Sequence, residues 1–242
     1  MNKESKIAVL VCGEYRTFDI AVTHSWNQFK NSPNFEIYFS TWDYSYQGNN
    51  LLNIHYKENI NNDSIKKYFN KDVYVNVMNL QDEMSKFNIV HDMYLSHGES
   101  ALPIHLKKIL KNVDFNEFDY IVLTRPDLFI SDINMDLDYH DDIIYTPMGG
   151  VSSDIMMDTF FMGKCSTMIN FIDTIILNNS LTHELLKKLD TNKLFKFKEI
   201  DLFGVEIIRP NCRNISEPLT LKMLNRKFKE YDMEKELLWN HK

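Results

Sequence analysis

The chain has 242 residues, 44% hydrophobic and 25% charged, an ordinary composition for a globular protein with one substantial core. Its net charge of −7 argues against a general nucleic-acid binder, because such proteins normally carry a basic surface. The sequence contains no apolar run long enough to span a bilayer, and its three cysteines (Cys12, Cys165 and Cys212) form no C-x-x-C pair. We therefore expect reduced thiols, a cytoplasmic location, and neither a zinc site nor a disulfide framework.

The N-terminal region predicts a parallel pair of strands joined by a helix. Ile7 to Val11 is a continuous apolar run that ends near Gly13, which is typical of a strand buried on both faces. Thr17 can cap a following helix. The apolar residues of that helix recur at helical spacing: Phe18, Ala21, Val22, Trp26 and Phe29. Glu36 to Asp43 predicts a second strand with a polar tip, so the region reads as a βαβ unit of a parallel sheet.

The rest of the chain continues this alternation. Residues 44–62 are rich in Asn, Gln, Tyr and Ser and predict a loop, whereas residues 98–113 carry a helical pattern. Further strands are predicted at 73–77, 120–123, 142–145, 160–162 and 205–208, and further helices at 166–177, 181–189 and from residue 218 onward. With no internal repeat or linker, the prediction is a single α/β domain over residues 1–242, with a mostly parallel central sheet flanked by helices.

Three predicted strands end in polar tips, at residues 13–16, 41–43 and 124–127. Ligands of open parallel sheets bind outside the carboxyl ends of the strands, so these tips are expected to converge. Gly13 would allow a ligand close to the backbone, and Arg16 can hold a phosphate at the N-terminus of the following helix. Plainer interpretations remain open: Arg16 as a surface ion-pair residue, and Asp43 and Asp127 as turn formers. No G-x-G-x-x-G or Gly-Lys-Ser/Thr pattern supports a dinucleotide site or a phosphate loop.

A second candidate lies between residues 149 and 163. Asp154 and Asp158 stand four residues apart before an apolar stretch and Gly163. One of these acids can act as a general base toward an acceptor hydroxyl. Alternatively, both are solvated acids of a mobile loop. The histidines show no spacing that predicts a metal site.

Four segments, in this order, resemble small glycosyltransferases of the GT-A type: I-A-V-L-V-C-G-E-Y-R-T-F, F-S-T-W-D, F-D-Y-I-V-L-T-R-P-D-L-F and D-T-F-F-M-G. The resemblance covers residues 6–163 and is greatest to compact bacterial and bacteriophage enzymes of surface-polysaccharide synthesis. It implies one GT-A-like, Rossmann-like domain, with a nucleotide-binding half over about residues 1–130 and an acceptor-side half over 131–242. It also implies sugar transfer from a nucleotide-diphosphate sugar, uridine diphosphate first among the nucleotides, to a glycan or other hydroxyl acceptor. The expected location is the bacterial or host cytoplasm, or the membrane surface that faces it.

The resemblance assigns the donor-side residues. Arg125-Pro126-Asp127 resembles a variant of the family's D-x-D element in which only the last acid is kept. Asp127 would then bind Mn²⁺ or Mg²⁺ and, through it, the donor diphosphate. Arg125 stands in place of the first acid and can serve as a fixed cation. The remaining nucleotide-sugar-binding positions would be Gly13, Tyr15, Arg16 and Asp43.

The resemblance also assigns the acceptor side. Asp158 stands five residues before Gly163, as the acid does in related D-x-x-x-x-G segments, and would be the catalytic base, with Asp154 as the second choice. If the reaction retains configuration, no base is needed and Asp158 would position substrate. Two other functions stay open: a nucleotidyltransferase, although no Gly-rich loop with a basic residue follows the first strand, and a non-catalytic nucleotide- or glycan-binding protein.

Overall fold

The structure is a computed structural model that describes residues 5–15, 18–49, 54–79, 82–83, 101–130, 133, 139–147, 160–179, 181, 183–200 and 206–207. The strands are β1 (Ile7–Cys12), β2 (Phe35–Trp42), β3 (Tyr44–Asn49), β4 (Ile54–Asn59), β5 (Tyr74–Met78), β6 (Tyr120–Thr124), β7 (Leu128–Phe129), β8 (Ile143–Pro147), β9 (Phe160–Lys164), β10 (Lys196–Ile200) and β11 (Glu206–Ile207). The α-helices are α1 (Phe18–His24), α2 (Asn27–Asn31), α3 (Asn62–Lys66), α4 (Ala101–Ile109), α5 (Cys165–Leu177) and α6 (His183–Thr191).

A seven-stranded sheet organises these elements, in the order β10-β8-β9-β6-β1-β2-β5. β1 pairs in parallel with both β2 and β6, β2 pairs in parallel with β5, and β8 pairs in parallel with β10. Of the seven strands, β9 alone runs the opposite way, between β6 and β8. The predicted α/β fold with a mostly parallel central sheet flanked by helices is confirmed.

The two faces of the sheet bury different residues, because successive side chains of a strand point to opposite faces. On one face, Val9 of β1 belongs to a cluster with Phe18 of α1. On the other face, Leu10 belongs to a cluster with Leu106 of α4 and Phe171 of α5. All six residues of β1 are buried, as the continuous apolar run predicted. β1 is therefore the centre of the core.

The predicted loop over residues 44–62 is wrong. Among its described residues, 44–49 and 54–59 pair as the antiparallel strands β3 and β4, and α3 begins at Asn62. Its composition is typical of a loop, but Tyr44 and Tyr46, and likewise Ile54 and Tyr56, alternate with polar residues. That period of two is the pattern of a strand, and it outweighs the content of Asn, Gln and Ser.

Three further differences concern helices and one strand. The helix predicted after Thr17 is divided into α1 and α2 at Ser25 and Trp26. The helical pattern over residues 98–113 yields α4, which ends at Ile109 and continues as a 3₁₀ turn. β10 was not predicted, because its K-F-K-E-I sequence reads as a charged surface segment.

The tail from residue 218 lies outside the described residues. Within the described ranges, no helix has the length and hydropathy needed to cross a bilayer.

Candidate functional site

The candidate site lies at the carboxyl edge of the sheet, where β1 and its two parallel neighbours end. The register pairs Val11 of β1 with Thr124 of β6, and Cys12 with Ser40 of β2, so the three strands end side by side. Strand order also reverses here: β2 and β5 lie on one side of β1, and the later strands of the sheet lie on the other. Such a reversal opens a crevice in which ligands bind. The three predicted tips thus share one edge, with the outer two about 10 Å apart at the usual strand spacing.

Gly13 directly follows β1, and its backbone conformation favours glycine. Its φ of +130° lies in a region that residues with a side chain rarely adopt. Its N–H donates a hydrogen bond to Ser40 O at 3.1 Å, which ties the tip of β1 to β2. A methyl group placed on Gly13 would lie 3.6 Å from Pro126 Cδ. The first and third tips are therefore in contact distance of each other.

Arg125 and Asp127 form a bidentate ion pair at the third tip. Arg125 Nε donates to Asp127 Oδ1 at 2.9 Å, and Arg125 Nη2 donates to Oδ2 at 2.7 Å. The Asp127 side chain is 1% exposed and that of Arg125 is 22% exposed. This geometry satisfies the buried carboxylate and fixes the plane of the guanidinium. Asp127 lies in a turn, as its plainer interpretation held, but it is also the buried member of an ion pair.

The turn that carries this pair is attached to the break between α1 and α2. Trp26 Nε1 donates to Leu128 O at 2.8 Å, and Ser25 Oγ accepts from Ile130 N at 3.1 Å. Ser25 Oγ also donates to the carbonyl oxygen of Ala21, a residue of α1, at 2.6 Å. Neither Ser25 nor Trp26 was predicted to support the site, because Trp26 fits the apolar spacing of one continuous helix and its partner is 102 residues away. The interruption of the helix is therefore what holds the Arg125–Asp127 turn.

Asp43 follows β2 and is fixed against the end of β5. Its N–H donates to Met78 O at 2.8 Å, and its Oδ2 accepts from Asn79 Nδ2 at 2.7 Å. Tyr15, by contrast, is 1% exposed, and its ring packs edge-to-face on Phe18 with 5.3 Å between centroids. Asp43 is thus at the candidate edge, whereas the Tyr15 ring is part of the core. The nucleotide-binding role of Tyr15 stays a prediction that its packing does not support.

Two buried hydroxyl groups at the same edge have no hydrogen-bond partner among the described residues. Thr41 Oγ1 lies one residue before the end of β2, and Thr124 Oγ1 lies at the end of β6. By strand alternation, both side chains point to the face that holds Val11. A buried hydroxyl without a partner is costly, so both are candidate contacts for a ligand. Neither threonine was predicted to belong to the site, because a Thr at a strand end carries no signal of its own.

Three predicted site residues, Arg16, Asp154 and Asp158, lie outside the described residues, and their roles stay predictions. The strand that follows the two acids is described. Phe160, its first residue, pairs with Thr124 at the end of β6. Because β9 runs antiparallel to β6, it begins at the carboxyl edge where the polar tips meet.

The residues described at this edge do not fit a divalent cation. Both carboxylate oxygens of Asp127 accept hydrogen bonds from Arg125, and the side chain is almost fully buried. Across the described part of the chain, no group of three His, Cys, Asp or Glu residues is placed to hold a metal ion. Mg²⁺ and Mn²⁺ need accessible oxygen ligands, so Asp127 in this conformation offers them no coordination position. The predicted metal role of Asp127 stays a prediction without support from the geometry.

Comparison with known proteins gives matches among solved structures. No family model matches the chain, and no curated protein matches its sequence. The galactosyltransferase LgtC, in complex with donor and acceptor sugar analogues, is 9% identical with a TM-score of 0.47, covering 93% of this chain and 95% of LgtC. A putative nucleotide-diphospho-sugar transferase from Desulfovibrio desulfuricans G20 is 9% identical with a TM-score of 0.45, covering 96% and 99%.

A third match covers less of its counterpart. The glycosyltransferase GlyE from Streptococcus pneumoniae TIGR4 is 10% identical with a TM-score of 0.39, covering 81% of this chain but 45% of GlyE. The solved structures named here are thus all described as sugar transferases.

Proposed function

We propose that this chain is a nucleotide-sugar-dependent glycosyltransferase that moves a sugar to a hydroxyl acceptor. The observation that carries the proposal is that Gly13 lies against Pro126 of the turn that carries the Arg125–Asp127 pair, where β1 and β6 end and the strand order reverses. A backbone position without a side chain, next to a turn that holds a fixed guanidinium, suits a diphosphate, because phosphate oxygens accept bidentate hydrogen bonds. We assign Asp43, which follows β2 two strands away from β6 on the same edge, to the nucleoside end of the same ligand.

In the reaction we propose, the bond between the anomeric carbon and the diphosphate oxygen breaks, and a bond to the acceptor oxygen forms. Negative charge develops on the leaving nucleoside diphosphate, and N–H donors of Arg125, with Arg16 as a second cation, would stabilise it. With inversion of configuration, the proton of the acceptor hydroxyl passes to a carboxylate. Asp158 is the first candidate for this base and Asp154 the second. With retention, Asp158 positions the acceptor.

The finer points of the proposal come from the resemblance of the four sequence segments to GT-A glycosyltransferases. They are a uridine diphosphate-sugar donor, a glycan acceptor in surface-polysaccharide synthesis, and a cytoplasmic location. The division into a nucleotide-binding half up to about residue 130 and an acceptor-side half after it belongs to the same proposal. A divalent cation, which the resemblance also implies, is left out of the proposed reaction because the residues described at this edge offer it no coordination position.

The experiment that tests the proposal is a donor screen with the full chain. The protein is incubated with a panel of nucleotide-sugars, in the presence and absence of Mn²⁺, and released nucleoside diphosphate is measured. Release of nucleoside diphosphate from one nucleotide-sugar, or from the nucleotide-sugars that share its base, supports glycosyl transfer. Release of pyrophosphate from a parallel panel of nucleoside triphosphates with sugar 1-phosphates would instead identify a nucleotidyltransferase, and nucleotide-sugar binding without turnover in either panel would identify a non-catalytic binding protein.

Asp158→Asn tests the acceptor side. We expect this variant to lose sugar transfer while it still binds the nucleotide-sugar, because an amide cannot accept the acceptor proton. Asp154→Asn is the matched comparison, and it should lose less sugar-transfer activity than Asp158→Asn. Loss of donor binding in Asp158→Asn would place that residue on the donor side instead.

A further inference from the structure

We infer that Arg125 and Asp127 act as one unit in which Arg125 binds the donor phosphates and Asp127 is its positioning residue, so that nucleotide binding requires no divalent cation. The inference rests on the proposed function and deepens it at the same site. It reverses the metal-binding role that the resemblance implies for Asp127.

The accessibility of the two side chains favours this order of roles. The Arg125 side chain is 22% exposed and the Asp127 side chain is 1% exposed, so a ligand that arrives at the edge meets Arg125 first. The ion pair uses Nε and one N–H of Nη2. A guanidinium has five N–H donors, and three of them therefore lie outside the pair. Those three donors are sufficient for bidentate hydrogen bonds to a phosphate group.

A cation at Asp127 would have to displace the guanidinium. Both carboxylate oxygens are engaged by Arg125, so a cation would have to break two charge-assisted hydrogen bonds and leave the guanidinium without its partner. Mg²⁺ and Mn²⁺ also keep several waters, which a carboxylate with 1% exposure cannot accommodate. The site is therefore built to hold Arg125 and not to exchange it for a hydrated ion.

The surroundings of the pair keep the guanidinium in place. Trp26 Nε1 and Ser25 Oγ hydrogen-bond the backbone of Leu128 and Ile130, which directly follow the turn. The pair is neutral as a whole, so it contributes oriented hydrogen bonds more than net charge. Lysine has no planar set of donors, and it cannot both match the Asp127 carboxylate and bind a phosphate bidentately.

The test measures nucleotide binding by isothermal titration calorimetry with the full chain. A panel of nucleoside diphosphates, with the matching monophosphates and nucleosides, is titrated in excess EDTA and again with Mn²⁺. For the wild type, we expect the diphosphate affinity to differ by less than about threefold between the two conditions. Arg125→Lys and Asp127→Asn should each weaken diphosphate binding at least about tenfold in EDTA. Their affinity for the phosphate-free nucleoside should be unchanged, which a merely structural role would not predict.

Asp119→Asn is the location control. Asp119 directly precedes β6, at the opposite end of the strand from the pair, and its carboxylate accepts from Lys6 N at 2.9 Å. This variant should bind every ligand as the wild type does. Circular dichroism and a urea titration establish that each variant is folded. If Asp127→Asn does not fold, Arg125→Lys and the EDTA series decide the question without it.

Several outcomes overturn the inference. The inference is overturned if the wild type binds nucleoside diphosphate only with Mn²⁺. It is also overturned if either folded variant binds the diphosphate with near-normal affinity. In those cases, the proposed function stands as long as the donor screen shows turnover. If no nucleotide binds in either condition and no donor is consumed, the proposed function fails, and this inference fails with it.

Discussion

Ser25→Ala tests whether the break between α1 and α2 holds the turn after β6. Ser25 is 4% exposed, and its hydroxyl is the acceptor for Ile130 N at 3.1 Å. The hydroxyl also donates to Ala21 O, but that carbonyl keeps a second donor in Ser25 N at 3.0 Å. The substitution therefore leaves one buried group, the Ile130 N–H, without its partner. It creates little empty volume, because Ala differs from Ser by one oxygen atom.

The expected loss is the cost of one unsatisfied buried donor, about 1–3 kcal/mol in the free energy of unfolding. For a chain of this length, each kcal/mol lowers Tm by roughly 2–4 °C. Equilibrium unfolding in urea measures the change as a lower midpoint with an unchanged slope. We also expect weaker nucleoside diphosphate binding, because the Arg125–Asp127 turn lies next to Ile130.

Thr23→Ala is the control on the same helix. Thr23 Oγ1 donates to Asp19 O at 2.6 Å, with the same spacing of four residues but on the exposed side. Its removal should change the free energy of unfolding by no more than about 0.5 kcal/mol. If the free energy of unfolding of Ser25→Ala is as close to that of the wild type as that of Thr23→Ala, the Ser25 hydroxyl is not what holds Ile130. The role assigned to the helix break would then be wrong.

Three further predictions concern single residues. Burial lowers the pKa of His105 to about 3, below the roughly 6.5 of an unfolded histidine. Only the unfolded state then gains a proton below about pH 6.5, so stability should fall by up to about 1.4 kcal/mol per pH unit as the pH drops. In His105→Gln, the urea midpoint should change less between about pH 7 and about pH 5 than it does in the wild type. If the midpoint of the variant changes with pH as strongly as that of the wild type, the assignment to His105 is wrong. Gly13→Ala should cost about 1–3 kcal/mol in urea unfolding through its φ of +130° and not through crowding, since the added methyl has ordinary space. Gly163→Ala should lower the free energy of unfolding by about 1–3 kcal/mol through crowding, because its methyl would lie 3.0 Å from Ile143 O. An unchanged free energy of unfolding in either glycine variant would refute the cause stated for it.

The fold was predictable where burial restricts the residue types that a strand can contain. β1 and β6 are continuous apolar runs, and strands buried on both faces allow few other residues. The hairpin of β3 and β4 escaped prediction because its alternation is carried by Tyr among Asn and Gln, which also favour loops. β10 escaped because an edge strand tolerates charged residues that a central strand does not.

The candidate site was predictable in its location and not in its internal contacts. Parallel strands bring their carboxyl ends to one edge, so the meeting of Gly13 with the Arg125 tip follows from topology. The pairing of Arg125 with Asp127 follows from nothing in their spacing, since residues two apart adopt many geometries. Ser25 and Trp26 could not be found because they act on residues more than a hundred positions away.

The central position of β1 has a consequence for the order in which the chain becomes stable during synthesis. β2 arrives soon after β1, but the other neighbour, β6, is translated far later; Lys6 N reaches the Asp119 carboxylate across 113 residues. Until then, β1 presents an open edge of an apolar strand, which is a template for aggregation. A fragment ending near residue 130 would still lack β9, the second neighbour of β6. We therefore expect the first half of this chain to be unusable as a separate nucleotide-binding module.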